Sequence, residues 1–162
     1  MSWSQSRRRH QLVHAVLAGI AETGRPIVPA ELAAEVSAEF GGSEEFLREV
    51  QRRWYRAFDA RLDAVLEDPP HDLRAPLVRL WHELADAMPA ARLLLDAHAG
   101  HPALAELDAH HRRTLDAATG VDLDDLDLTR PVPPPRRSPA ARRCPTRLPL
   151  YAAFRRLSSG NP

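Results

Sequence analysis

The sequence predicts an all-α protein, an orthogonal bundle of about five to six helices followed by a disordered Pro/Arg-rich C-terminal tail. Three observations point there. Apolar residues recur at 3.6-residue spacing through the first 120 residues. The periodic segments open on proline and close on glycine, as at Pro29 and Gly41, Pro89 and Gly100, and Pro102 and Gly120. No stretch alternates apolar and polar residues at the period of a strand.

The first helix is expected over about Ser4 to Glu22, where Leu12, Val13, Val16, Leu17 and Ile20 share a face and Gly24 is a stop. After the connector RPIVP, the segment PAELAAEVSAEF suits a second helix with Pro29 in its first turn and Gly41-Gly42 at its end. The third has the clearest pattern. Ser43 suits an N-cap, Glu44 and Glu45 suit the positive end of the helix dipole, and Phe46, Leu47, Val50, Trp54, Phe58, Leu62 and Val65 form a stripe. Glu49 and Arg53 make an i,i+4 pair on the polar side, and Pro69-Pro70 end the helix. The fourth runs from about Leu73 to Ala87, with Pro76 in its first turn and Leu77, Leu80, Trp81 and Leu84 on one face. Pro89 opens a fifth helix. Pro102 opens a sixth, whose apolar face is Leu104, Leu107, His111, Leu115 and Ala118, with His110 and Asp108 leaning outward.

From Pro131 the composition changes. Eight of the 15 prolines lie in the last 32 residues. Such a segment lacks the apolar residues to fold alone, so the chain divides into a helical domain, 1–128, and a flexible basic tail, 129–162. The formal net charge is zero, but unevenly divided. Residues 1–130 hold 15 Arg against 22 Asp and Glu, a net of −7, and residues 131–162 hold seven Arg and no acid, +7. With no Lys and abundant Ala, Pro and Asp, the usage is that of a GC-rich bacterial genome. The one cysteine, Cys144, excludes an internal disulfide framework and a cysteine-based zinc knuckle. No apolar run is long enough to span a membrane. The cluster Arg7-Arg8-Arg9 before a modest apolar run is reminiscent of an export signal. However, His10, Gln11 and His14 break that run, so an amphipathic helix and a cytoplasmic location are expected.

Four of the eight histidines, His98, His101, His110 and His111, lie close together near Asp96, Glu106 and Asp108. Zinc needs three or four ligands converging on one point, with correlated spacing. This run has no such spacing, and histidines at a helix C-terminus are favoured by the dipole, so the segment reads as the polar rim of the bundle. The third functional reading, a small enzyme or metal protein, would use this His98–His111 region. His10 and His14 stand four apart, the spacing of helical ligands, but beside an apolar stripe where flanking side chains are ordinary. No phosphate-binding glycine loop or nucleophile elbow is present, and no catalytic residue, metal ligand or cofactor is assigned. Candidate ligand or interaction residues are Trp54 and Trp81, whose helical spacing also suits core, His98 and His101, and Arg61. Arg61 falls inside the apolar arc of the third helix, where a charge needs an acid, an exit or a ligand. Candidate phosphate contacts are Arg7, Arg8 and Arg9, and Arg136, Arg137, Arg142 and Arg143 in the tail. Pro131, Pro134 and Arg136 match the P-x-x-P-x-R pattern of SH3 ligands.

RRRHQLVHAVLAGIAETG resembles the first helix of the TetR-type bacterial regulators. SEEFLREVQRRWYRAFDARL is similar to the helix that follows their DNA-reading motif, and the segment 72–113 is similar to their regulatory domain. The resemblance implies DNA or small-effector binding. Between the first two segments, however, the family places two short helices, the second entering the major groove. Only RPIVPAELAAEVSAEFGG stands there, with room for one helix and with Glu31, Glu35 and Glu39 on it. No DNA-reading residue carries over. The expected function is therefore a non-catalytic protein-interaction or regulatory module. Its partner would be a protein or a second copy, with weak non-specific nucleic-acid contact through the tail and no membrane contact.

Overall fold

The computed structural model describes residues 3–122 together with 125, 126 and 128. Among these the fold is all-α, with six α-helices and no strand. Helix α1 spans Trp3–Thr23, and a 3₁₀ turn, Ala30–Leu32, runs into α2, Ala33–Phe40. Then follow α3 (Ser43–Leu66), α4 (Arg74–Ala87), α5 (Pro89–Ala97) and α6 (Pro102–Thr119). The tail expected from residue 129, with Arg136, Arg137, Arg142, Arg143 and Cys144, lies outside the described residues.

Helix α3 is the spine. Helices α2, α4, α5 and α6 all pack on it, and α1 packs on α5 and α2. Its stripe explains this position. Phe46, Val50, Trp54 and Phe58 are buried and meet Val16 and Ile20 of α1, Leu77 and Leu84 of α4, Leu94 of α5 and Leu115 of α6 in one core. Transfer of these apolar surfaces from water supplies the main driving force for assembly. Phe40 at the end of α2 meets Phe46 edge to face at 5.3 Å, which fixes the α2–α3 corner. Gly41 and Gly120 close α2 and α6 at φ +81° and +66°, a left-handed conformation that costs other residues a Cβ clash.

The polar side of α3 is laced with ion pairs. Arg53 bonds Glu49 at 2.9 Å, the expected i,i+4 pair, and Arg48 and Arg52 both reach Glu45 at 2.8 Å. The Arg52 hydrogen bond, then that of Arg48, hold the Glu45 carboxyl below its ordinary range. Arg48 also donates from Nε to the Ala103 carbonyl at 3.0 Å, tying α3 to the start of α6.

Several expectations are corrected. Ser43 is the first helical residue of α3, and Gly42 is the N-cap without a side-chain bond. Pro29 caps the 3₁₀ turn, so α2 itself begins only at Ala33. Ala118 is exposed. Trp81 is half-buried, whereas Trp54 is 1% exposed. Arg61 is exposed and does not lie within the apolar arc. The buried stripe drifts around α3 through the four-residue steps Trp54, Phe58 and Leu62, each advancing about 40°. Arg61, three residues after Phe58, falls about 60° behind that position. Its Nη1 donates back to the Ala57 carbonyl at 2.9 Å.

Candidate functional site

A cavity of about 230 Å³, partly open to solvent, lies between helices α3 to α6. Gln51 and Trp54 come from α3, Trp81 from α4, Arg92 from α5, and Asp108 and Arg112 from α6. Gln51 lies one turn before Trp54 on the stripe of α3, so the helix that fills the core also carries an amide into it. At 2% exposed, that amide must find partners. Its Nε2 donates to the Leu104 carbonyl at 3.2 Å and to Asp108 Oδ1 at 2.6 Å. The Tyr55 hydroxyl donates to the same carboxylate oxygen. Burial, and then the bond to Asp108, push the Tyr55 hydroxyl far above its ordinary pKa, so it stays a donor. Asp108 is therefore drawn inward and half-buried, where the helical pattern had placed it on the outer side. The cause is Gln51: its buried N–H groups need an acceptor, and α6 supplies one.

The opposite wall is aromatic. Trp54 and Trp81 meet edge to face at 5.5 Å. The Arg92 guanidinium lies 4.7 Å from the Trp81 ring and 5.6 Å from Trp54, within cation–π range. It is paired with Asp96, with Nε to Oδ2 at 2.7 Å. Burial lowers the Arg92 pKa from its ordinary value. Thus the structure brings Trp54 and Trp81 together, while Gln51, Arg92 and Asp108 join them without having been singled out. Gln51 had a legible signal, an amide in an otherwise apolar stripe. Arg92 had none, since its position depends on how α5 crosses the two tryptophans.

Two buried polar atoms, Gln51 Oε1 and Trp54 Nε1, have no hydrogen-bond partner in the protein. The amide orientation is set by its neighbours. Leu104 O and Asp108 Oδ1 both accept, so the nitrogen must face them and the oxygen is left over.

The clustered histidines divide by role. His98 Nδ1 lies 2.9 Å from the Leu94 carbonyl at the end of α5, and His101 Nδ1 accepts from Ala103 N at 3.2 Å as the N-cap of α6. Their rings stand 6.2 Å apart. His110 is exposed. His111 is 5% exposed, stacks on Tyr55 at 3.9 Å and meets Phe58 edge to face. Its Nδ1 is 3.6 Å from Asp59 Oδ1, and its Nε2 is buried without a partner. Among the described residues, no three His, Cys, Asp or Glu side chains are grouped to hold a metal ion.

Burial is the leading cause that lowers the His111 pKa from 6.5, outweighing the opposing field of Asp59. The folded state therefore prefers the neutral ring. That contribution is fully present above about pH 6.5 and is lost as pH falls from there through the folded value, because the unfolded chain binds the proton more readily. Denaturation midpoints of the natural chain are expected to fall more between pH 7.5 and 5.5 than those of His111→Phe, which keeps a ring on Tyr55. Equal falls would show that His111 carries no such linkage.

The N-terminal arginines are already engaged. Arg7 lies 5.7 Å from the Trp3 ring, Arg8 Nε bonds Glu39 Oε1 at 2.9 Å, and Arg9 lies 4.5 Å from the Phe40 ring. His10 and His14 are exposed beside the α1 stripe, with rings 4.6 Å apart. No helix among the described residues is long and apolar enough to cross a membrane. Among the described residues these features define an all-helical fold with an aromatic and polar cavity between α3, α4, α5 and α6. No family model, curated protein or solved structure matches the chain.

Proposed function

We propose that the chain is a non-catalytic helical regulatory module, acting in the cytoplasm through contact with a protein partner or a second copy. The observation that carries this reading is the corner built by α1 and α2. A regulator resembling the TetR type would present its reading helix there. The surface instead offers Glu31 and Glu35, both exposed, and Glu39, paired with Arg8. Acids at this place repel phosphate, and Arg7 and Arg9 are stacked on Trp3 and Phe40. The side chains of the cavity also suit a non-catalytic role, because Asp108, the acid most enclosed there, is held by Gln51 and Tyr55 in cross-links between α3 and α6. A lone cysteine suits a reducing compartment.

Gel-shift titration of the full chain at two salt concentrations tests the reading. Any binding to duplex DNA is expected to be weak and indifferent to sequence. It should collapse as salt rises, with a log–log slope no steeper than about −6 if seven tail arginines engage. Salt-resistant binding to one DNA sequence would overturn it.

A further inference from the structure

We infer that the groove along α1 is a self-association surface, on which a second copy of this chain docks by inserting its Trp3 ring. This rests on the reading of the chain as a contact module and selects the second copy from its two kinds of partner. Trp3 is 79% exposed, whereas Leu12, Val13, Val16 and Ile20 of the same helix are buried. Tryptophan is among the residue types most enriched at the energetic centres of protein interfaces. Beside Trp3 runs an open groove of about 520 Å³ between α1 and the start of α2. Its apolar lining is Leu12 and Ala15 of α1 and Leu32 of the 3₁₀ turn. Sites of roughly 300–1,000 Å³ take drug-sized molecules, so this one has room for an indole.

The surface is complementary to itself. A two-fold interface uses the same patch on both copies, so each patch must carry a feature together with its counterpart. Here the knob is Trp3 and the hollow lies beside Ala15. They are separated by twelve residues of α1, or about 18 Å at about 1.5 Å each. Two copies of α1 laid antiparallel therefore bring each indole to the other's hollow. The charges follow the same rule. Arg7 lies over the Trp3 ring and Glu35 is exposed, and neither is ion-paired among the described residues. In the antiparallel arrangement Arg7 of one copy meets Glu35 of the other, twice. Arg8, the third charge in the groove, is already matched by Glu39. An unrelated partner has no need of knob and hollow, cation and anion, on one face.

Sedimentation velocity of the full chain over a roughly hundredfold dilution tests this. The natural chain is expected to be a dimer at the concentrated end and to dissociate toward monomer, by mass action. Trp3→Ser should weaken dimerisation at least about tenfold. It should leave the denaturation midpoint of the monomer unchanged, because the ring is exposed. Arg7→Glu and Glu35→Arg, both at exposed positions, should each weaken it too, since each sets like charges opposite one another. An equimolar mixture of those two variants should restore a dimer, because each swapped charge then meets an opposite one. A monomer at every concentration, a dimer indifferent to Trp3→Ser, or a mixture no more associated than its two components would overturn the inference. Those outcomes leave the contact-module reading with a different protein as partner; that reading falls instead on sequence-specific DNA binding.

Discussion

Replacing Trp54 with Ala is expected to destabilise the protein by about 3–5 kcal/mol, the cost of removing a large buried ring and leaving a cavity. Trp54 is 1% exposed and sits at the middle of α3, where α4 and α5 both rest on it through Trp81 and Arg92. Its loss strips those two contacts together with the transfer free energy of the indole. Trp81→Ala should cost clearly less, because that ring is already half in solvent. Chemical denaturation of both variants measures the difference. Equal losses, or a barely changed midpoint for Trp54→Ala, would contradict the packing of α3.

Asp108→Ala ranks second. The carboxylate accepts from Gln51 and from Tyr55, and its removal leaves two buried donors short of an acceptor. Each such group costs about 1–3 kcal/mol when left unpaired. Gln51 retains the Leu104 carbonyl, so most of the penalty falls on the Tyr55 hydroxyl. Asp108→Asn keeps an acceptor oxygen in place and should recover most of the loss. A double change, Tyr55→Phe with Asp108→Ala, should cost less than the sum of the two single changes, since it removes the stranded donor along with its acceptor. Strict additivity in denaturation would show that the Tyr55–Asp108 bond contributes little.

Most of the architecture was legible in the residues. Proline and glycine bounded α5 and α6, and the stripe from Phe46 to Leu62 marked the buried face of α3. Local pattern served wherever one helix decides the outcome by itself. It failed where two helices negotiate. Asp108 looked outward by the periodicity of α6, and only the buried amide of Gln51 on α3 explains why it turns in. Arg61 looked buried by the periodicity of α3, because a helical wheel does not show that the covered side has drifted by the last turns. Ser43 looked like a cap on composition, but the positive φ of Gly41 and Gly42 carries the chain into α3 one residue sooner. The four clustered histidines resolved into two caps, one stacked ring and one exposed side chain, His110. That Gln51 Oε1 and Trp54 Nε1 are buried without a partner was out of reach, since an unpaired atom is defined by everything around it.

The central claim is that this helical module acts through protein contact and does not read DNA. Affinity capture from the source organism, with the full chain and a form lacking residues 131–162 as baits, tests it most directly. Both baits are expected to retain the same protein in stoichiometric amount after nuclease treatment and at high salt, with any nucleic acid confined to the full-length bait at low salt. Retention of one DNA sequence by both baits at high salt, with no protein partner or second copy of the chain, would contradict it.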